Sequence, residues 1–199
     1  MNFLSHLHLS GDSEGLIIGN YIADSVKGSA YNQFSPEIQQ GILLHRKIDT
    51  FTDTHSIVEQ SKQRLREKYR KYAGVIVDIY YYHYLASNWQ TYSDIGLQDF
   101  SNNIYQLVMK HHGILPEKSQ RFTKYMMQYN ILPAYSTFNG IEQVLKGMAH
   151  RSKFQSTMEH ATEDLKEYYS LFEEEFKLFY PELKIYAEEE IKKINSIYF

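Results

Sequence analysis

A histidine and several aspartates recur at helical spacing in the first quarter of the chain. His45, Asp49 and Asp53 lie four residues apart, so on a helix they form one stripe. Asp24 follows Asn20 by four residues, which puts these two on a common face as well. Imidazole and carboxylate groups suit Mn²⁺, Mg²⁺, Fe²⁺ or Zn²⁺. The combined set of donors therefore suits a metal site. A single His/Asp pair at this spacing, taken alone, is more often a local hydrogen bond or a cap.

Another aspartate lies inside an apolar run. Asp78 is part of VIVDIYYY, where an ionised carboxylate is costly unless it is paired or bound to a metal. We therefore count it among the candidate ligands, and a buried carboxylate satisfied by Arg46, His45 or a tyrosine is the alternative. His83 lies five residues further on, about 140° round a helix, so the two side chains need not share a site.

Two histidines flank Leu7 near the start of the chain. In an extended segment His6 and His8 would point the same way, whereas on a helix they would diverge by about 200°. Either could complete a metal shell or move a proton. Arg46 adjoins the stripe and could hold a phosphate oxygen through two N–H groups. A metal in this setting polarises a phosphoryl oxygen and activates a water, which is the chemistry of a phosphoester hydrolase.

The elements that must position these residues are helices. Apolar residues keep helical spacing from Leu16 to Val26, and Ser35 followed by Pro36 begins the next helix. The Tyr, Val and Ile content of 75–84 leaves a strand as the main alternative there. Further helices are expected over 57–72, 75–89, 97–111, 116–129, 141–148 and 154–180, and after Pro181. No linker or repeat divides the chain, so the sequence predicts one all-α domain over 1–199, a compact bundle of about eight to ten helices.

Composition limits the class of protein. The 199 residues allow one domain with a real core, and no stretch is low in complexity. Because the chain has no cysteine, disulfides, thiolate nucleophiles and thiolate metal sites are excluded. No apolar run reaches the roughly 20 residues that span a bilayer, and the first residues lack the pattern of a signal peptide. We expect a soluble, cytoplasmic protein with no membrane partner.

Charge is unevenly distributed along the chain. The net charge is −3, but residues 60–72 carry six basic residues against one acidic residue, and 159–190 carry eleven acidic residues against three basic ones. Both runs are most simply solvated helix faces. The basic run could also attract an acidic partner. Nucleic acid is not an expected partner, because the basic run stands alone in an acidic chain.

Longer stretches of the sequence resemble the acyl carrier protein phosphodiesterase family. They run in order from the first residue to about Leu183 and are MNFLSHLHLS, GNYIADSVKG, GILLHRKIDTFTD, VDIYYYHYLASNW, VLKGMAHR and FKLFYPEL. Members of this family are all-helical enzymes, distantly related to the HD-type metal phosphohydrolases. They hydrolyse the phosphodiester that joins phosphopantetheine to a serine of acyl carrier protein, with a divalent cation, typically Mn²⁺. The resemblance implies this activity, apo-carrier protein and free 4′-phosphopantetheine as products, and an HD-like bundle.

The resemblance also assigns roles to single residues. Its motif acids and histidines fall here on His6, His8, Asp24, His45, Asp49, Asp53 and Asp78. The expected metal ligands are Asp24, His45, Asp49 and Asp78. The expected catalytic residues are His6, His8, Arg46, Asp53 and His83. The chain has no adjacent His-Asp pair of the HD type, and Tyr82 stands where the motif commonly has an acidic residue, which weakens a role for His83.

Acyl carrier protein is the partner that the resemblance implies. Carrier proteins are strongly acidic, so we expect the basic helix after Asp53 to dock the carrier. The expected substrate-binding residues are Lys62, Arg64, Arg66, Arg70 and Arg151. Arg151 is a candidate for contact with the phosphate and equally a capping or salt-bridging residue. Two other functions stay open: an HD-like hydrolase of a nucleotide or small phosphoester, and a non-catalytic helical module that binds carrier protein. The oligomeric state stays open as well.

Overall fold

Helices make up the fold of the described residues. The computed structural model describes residues 3–152 and 156–197, and none of these forms a β-strand. The α-helices are α1 Phe3–His8, α2 Glu14–Ile22, α3 Pro36–Thr54, α4 Ser56–Tyr69, α5 Ala73–Ser87, α6 Leu97–Lys110, α7 Glu117–Gln128, α8 Ile131–Ala134, α9 Phe138–Arg151, α10 Ala161–Glu167 and α11 Tyr169–Ile197. The expected all-α bundle is confirmed, and the short helices α1 and α8 lie where the sequence analysis listed none.

Local sequence explains where the helices around the predicted stripe begin and end. Ser13 caps α2, its hydroxyl accepting a hydrogen bond from the backbone N–H of Leu16 at 3.3 Å. Pro36 begins α3 as expected, because its fixed φ suits the first helical turn. α2 was expected to continue to Val26. It instead gives way to a 3-10 turn at Ala23–Ser25, so Asp24 lies on a turn at the end of α2.

α2 and α3 cross in direct backbone contact because each has a glycine at the crossing point. A Cβ placed on Gly19 would lie 2.1 Å from a carbonyl oxygen of α3, and one placed on Gly41 would lie 2.3 Å from a carbonyl oxygen of α2. No side chain fits in this space, so only glycine permits the approach. The crossing brings Asn20 of α2 beside His45 of α3.

α5 is a core helix. The strand that the sequence left open at 75–84 is not formed, since this stretch lies within the helix Ala73–Ser87. Its tyrosines Tyr80, Tyr81, Tyr82 and Tyr84 are each at most 3% exposed. Tyr80, Tyr81 and Tyr84 pack against aromatic side chains of α11, and Tyr82 packs against Tyr135. The apolar run therefore reflects burial on all sides of a helix.

The C-terminal third differs from the sequence prediction. A helix over 154–180 and a second one after Pro181 were expected. Residues 153–155 lie outside the described residues, α10 begins at Ala161, and α11 continues through Pro181. Proline removes one helical hydrogen bond, but Tyr180 and Leu183 are buried on either side of it. Burial of the same helix face on both sides of the proline offsets that cost, and the expected helix end was wrong.

The oppositely charged runs of the sequence pair with each other. Lys68 of α4 contacts Asp164 of α10 at 2.8 Å, and Arg64 of α4 contacts Glu175 of α11 at 2.7 Å. Glu175 is buried. The positive charge of α4 is therefore largely neutralised inside the fold. Among the described helices, none is long and apolar enough to cross a membrane.

Candidate metal centre and active site

Two histidines and an aspartate form a close group where α1 packs beside α3. His6 Nε2 lies 3.1 Å from Asp49 Oδ1, and His45 Nε2 lies 3.2 Å from Asp49 Oδ2. The two imidazole rings stack, with centroids 3.8 Å apart and 14° between their planes. Candidate ligand atoms of all three residues lie within 4.8 Å of one another. A single cation between them could therefore contact all three.

Asp24 lies beside this group. Its Oδ1 is 3.6 Å from His45 Nε2, which is longer than a normal hydrogen bond. Its Oδ2 is buried and has no hydrogen-bond partner among the described residues. A buried carboxylate oxygen without a partner is costly, and a cation held between Asp24, His45 and Asp49 would satisfy it. The residues present therefore fit a divalent metal.

Asn20 determines which nitrogen of His45 faces the carboxylates. Its amide nitrogen donates to the backbone carbonyl of His6 at 3.0 Å and to Ser10 Oγ at 2.9 Å. Asn20 Oδ1 is therefore the atom that accepts from His45 Nδ1–H, at 2.8 Å. The Nε2 atom is left facing the two aspartates. A hydrogen bond of this kind fixes the tautomer and ring orientation of a ligating histidine.

In the metal-free cluster, the proton resides on His45. Burial favours the neutral ring, but the carboxylates of Asp24 and Asp49 outweigh it and raise the pKa of His45 to about 9. Burial, together with the positive charge of His45, lowers the pKa of His6 to about 4. Burial opposes ionisation of Asp49, yet hydrogen bonds from His45 and His6 lower its pKa below the ordinary value. The positive charge of protonated His45 thus lies where a metal cation would bind.

A cavity of about 480 Å³ opens beside Asp24. Its walls are mostly apolar and include Phe122 of α7 and Met148 of α9. Asp24 and Asp78 are its acidic lining residues. Its cationic lining residues are Lys118, Arg121 and Arg151, of which only Arg151 was predicted from the sequence. Asp24 therefore joins the histidine group to a large apolar surface with charged residues at its edge, an arrangement typical of ligand sites.

Asp78 lies on α5 in the wall of this cavity, outside the close group formed by the two histidines and Asp49. Burial raises the pKa of its carboxyl group, as its apolar surroundings in the sequence indicated. Tyr82, one turn later, is fully buried, and its hydroxyl has no hydrogen-bond partner among the described residues. The role of Asp78 as a metal ligand stays a prediction.

His8 points away from the group because α1 is helical. Its Nε2–H donates to the backbone carbonyl of Tyr92 at 3.1 Å, and its Nδ1 accepts from the hydroxyl of Tyr180 at 2.7 Å. Burial lowers the pKa of His8. The ring therefore ties α1 to α11, and His6 alone of the two histidines reaches the aspartates.

His83 is also held by protein groups at both nitrogens. Nδ1–H donates to the backbone carbonyl of Tyr135 at 2.9 Å, and Nε2 lies 3.0 Å from the hydroxyl of Tyr169. Burial lowers the pKa of His83 and keeps the ring neutral. These contacts link α5 to the start of α11, and a catalytic role for His83 stays a prediction.

Arg46 and Asp53 contact protein groups beside the cluster. The Arg46 guanidinium donates to the backbone carbonyls of Val26 and Gly28 at 3.2 and 2.9 Å, which holds the loop that follows Asp24. Asp53 lies at the exposed end of α3 and pairs with a lysine of α4 at 3.1 Å. The expected catalytic roles of both residues stay predictions.

The expected docking residues of α4 differ in their surroundings. Lys62 and Arg64 form ion pairs with Asp53 and Glu175, respectively. Arg66 pairs with a glutamate of its own helix at 3.0 Å. Arg70 directly follows α4, is exposed and forms no ion pair within the described part of the chain. The docking role expected for these residues stays a prediction.

Lys118 and Arg121 could not be singled out from the sequence. They lie in a segment without a motif, and charged residues beside aromatic ones are ordinary on a surface helix. Only the fold brings α7 to the cavity. Asn20 gave a weak signal through its spacing from Asp24, but its bond to His45 depends on the crossing of α2 and α3.

Known proteins resemble the chain over nearly its whole length. The family model described as acyl carrier protein phosphodiesterase matches residues 1–183. The acyl carrier protein phosphodiesterase of Photorhabdus laumondii is 35% identical over 192 residues, 94% of this chain and 96% of its own. The protein of the same name from Yersinia enterocolitica is 32% identical over 190 residues, 95% and 98% of the two chains. No solved structure gives a significant match. The chain belongs to the acyl carrier protein phosphodiesterase family.

Proposed function

We propose that this protein is a metal-dependent hydrolase of the phosphodiester between 4′-phosphopantetheine and a serine of acyl carrier protein. The products are apo-carrier protein and free 4′-phosphopantetheine. Family membership supports the substrate. The observation that carries the metal dependence is the His6, His45 and Asp49 group. It adjoins a buried oxygen of Asp24, at the edge of a cavity, that has no hydrogen-bond partner among the described residues.

The donor set indicates which metals suit the site. His6, His45, Asp49 and Asp24 would hold the ion through imidazole nitrogen and carboxylate oxygen, a set that suits Mn²⁺ and also accepts Mg²⁺, Fe²⁺ or Zn²⁺. When bound, the ion stabilises charge on phosphoryl oxygens and supplies a nucleophile at neutral pH. Asp78, in the wall of the same cavity, is proposed as a further ligand.

The chain's own residues orient the substrate. The apolar walls of the cavity accommodate the pantetheine arm and exclude water from the diester. Arg151 lines the cavity, which supports a role in pairing with a phosphate oxygen. Asn20 holds His45 in the tautomer that leaves Nε2 facing the carboxylates.

The proposed function is tested by incubating the purified protein with holo-acyl carrier protein and Mn²⁺ and measuring the carrier's mass. We expect the phosphopantetheine mass to be lost, and EDTA to prevent the loss. Asp49→Asn removes the negative charge of the carboxylate that both histidines contact and should lower the rate by at least about a hundredfold. Asp94→Asn, an exposed aspartate outside the cavity, is the matched control and should retain wild-type activity.

Two results would argue against this function. No mass loss with Mn²⁺, Mg²⁺, Fe²⁺ or Zn²⁺, combined with cleavage of nucleotides, would favour a small-phosphoester hydrolase. Tight binding of the carrier with no turnover of any substrate would favour a non-catalytic carrier-binding module.

A further inference from the structure

Three cations lie at the edge of the cavity beside Asp24. We call Lys118, Arg121 and Arg151 the cationic rim, since each is exposed and also lines the cavity. Lys118 and Arg151 form no ion pair within the described residues. Arg121 contacts Glu117 at 3.3 Å, with 72% and 80% of the two side chains exposed. An exposed pair of this kind contributes little, so the rim presents positive charge to solvent.

The basic helix α4 is less available to a partner than the rim. Arg64 and Lys68 are paired with Glu175 and Asp164 from the acidic C-terminal part of the chain. Lys62 pairs with an aspartate of α3. Among the described residues that line the cavity, none belongs to α4. A partner on α4 would therefore meet a neutralised surface away from the cavity.

The rim adjoins exposed side chains of the kind that protein interfaces favour. Tyr125 is 47% exposed and lines the cavity; Met127 near the end of α7 and Tyr129 directly after it are exposed as well. Tyr125 and Tyr129 pack together, with ring centroids 4.7 Å apart. Aromatic and methionine side chains beside arginine are enriched in interfaces and supply much of the binding energy. Positive charge alone would attract any anion, but this combination fits an acidic protein surface.

We infer that α7 and the C-terminal end of α9 form the surface on which the carrier protein docks, with an acidic face of the carrier over the cationic rim. The inference rests on the proposed function, which names the carrier as the substrate. Docking here puts the modified serine at the edge of the cavity, on the side where Asp24 lies. The arm then enters the cavity while the carrier stays outside.

The test compares two substrates that contain the same diester. One is folded holo-carrier protein, and the other is a short neutral peptide bearing phosphopantetheinyl-serine. For Lys118→Glu/Arg121→Glu, we expect KM for the carrier to rise roughly ten- to a hundredfold at low ionic strength, with kcat unchanged. KM for the peptide should change by less than about twofold, because the peptide lacks the acidic face. Cleavage of the peptide also shows that the variant is folded.

A matched control changes the same amount of charge elsewhere. Lys177→Glu/Lys192→Glu reverses two exposed cations of α11 that do not line the cavity, and KM for the carrier should stay at the wild-type value. The dissociation constant of the carrier is measured beside KM, so that docking is tested whether or not the wild type turns the carrier over. A wild type that binds the carrier but does not cleave it refutes the proposed function alone.

Three outcomes would overturn the docking inference. Equal increases in KM for carrier and peptide would mean that Lys118 and Arg121 bind the diester itself and not the carrier surface. Unchanged carrier affinity in the rim variant, with weakened affinity in Arg66→Glu/Arg70→Glu, would place docking on α4. No binding of the carrier by the wild type would refute the inference together with the proposed function.

Discussion

Asn20 forms hydrogen bonds within the protein through both of its amide hydrogens and through its carbonyl oxygen. The amide nitrogen contacts the His6 carbonyl and Ser10, and the oxygen accepts from His45. The residue is buried, so no water competes for these bonds. We infer that Asn20 positions His45 and does not itself contact the substrate.

Replacement of Asn20 should therefore weaken metal binding. In Asn20→Ala, the Nδ1–H of His45 loses its acceptor, and the ring is free to change tautomer and orientation. We expect the dissociation constant for Mn²⁺, measured by calorimetry, to rise about 10- to 100-fold. Ser10→Ala keeps the hydrogen bond between Asn20 and His45 and should change the Mn²⁺ dissociation constant far less. Equal Mn²⁺ affinity in wild type and Asn20→Ala would contradict the positioning role.

The two stacked histidines predict how the stability of the metal-free protein depends on pH. In the folded protein the pKa of His45 is raised to about 9. Its contribution to the free energy of unfolding is therefore complete below pH 6.5 and is lost as pH rises through 9. The folded pKa of His6 is lowered to about 4, so the fold is increasingly penalised as pH falls from 6.5 toward 4. In EDTA, the contribution of the two histidines to the free energy of unfolding should be greatest near pH 6.5.

Urea denaturation at a series of pH values measures this effect. The free energy of unfolding should change by about 1.4 kcal/mol per pH unit on each side of the maximum, which is the value for one proton. His45→Gln should remove the decline between pH 6.5 and 9. A wild-type profile that rises steadily from pH 6.5 to 9 would show that His45 does not hold the proton.

The sequence predicted part of this site. The helical spacing of His45 and Asp49 was readable, because i, i+4 neighbours share a face whatever the tertiary structure. The stacking of His6 on His45 could not be predicted from the sequence, because the two residues are 39 positions apart. Of the cationic rim, only Arg151 was predicted; Lys118 and Arg121 were not, since no local pattern states which surface helix borders a cavity.

At the scale of helices, the site depends on the glycine contact between α2 and α3. Gly41→Ala would put a methyl group 2.3 Å from a carbonyl oxygen of α2 and force the helices apart. We expect a loss of about 1–3 kcal/mol in the free energy of unfolding. Mn²⁺ affinity should fall as well, because Asn20 moves away from His45. Urea denaturation and calorimetry measure the two effects.

Gly74→Ala is the matched control for this prediction. The nearest atom to a Cβ at Gly74 is Lys62 Cε at 3.6 Å, an ordinary contact. Alanine is favoured over glycine in a helix by roughly 0.5–1 kcal/mol, so this variant should be at least as stable as the wild type. A Gly41→Ala protein with unchanged stability would show that the crossing tolerates a side chain.

Helices were more predictable from the sequence than their ends. The capping pattern at Ser35 and Pro36 marked the start of α3 because caps act locally. Pro181 was misread because its local cost is outweighed by contacts of the neighbouring Tyr180, which packs on Phe176 of α11 and on Tyr92 and hydrogen-bonds His8 of α1. The strand alternative for α5 arose because β-branched and aromatic residues also suit a buried helix in a core.

At the scale of the whole molecule, local charge was a poor guide to surface charge. Residues 60–72 are strongly basic in the sequence, yet their partners Asp164 and Glu175 come from about a hundred residues further along. Both charged runs could be seen in the sequence, but the contact between them could not be predicted from it. At the cavity, the acidic residues among the described lining are Asp24 and Asp78, and the three cations of the rim are exposed.

Metal binding should stabilise the whole protein, because the proposed ligands are assembled only by folding. His6, Asp24, His45 and Asp49 come from α1, the turn after α2, and α3. A cation that binds the folded chain alone adds about 2.7 kcal/mol at a hundredfold excess over its dissociation constant. For a chain of this size, Tm should rise by about 5–10 °C.

Scanning calorimetry of EDTA-treated protein with and without Mn²⁺ measures this shift. Asp49→Asn should abolish it, because both histidines lose their shared carboxylate, whereas Asp94→Asn should retain it. The shift should also shrink as pH falls below about 9, since Mn²⁺ must displace the proton held by His45. Carrier cleavage without any such shift for Mn²⁺, Mg²⁺, Fe²⁺ or Zn²⁺ would mean that the histidine group is not the metal centre.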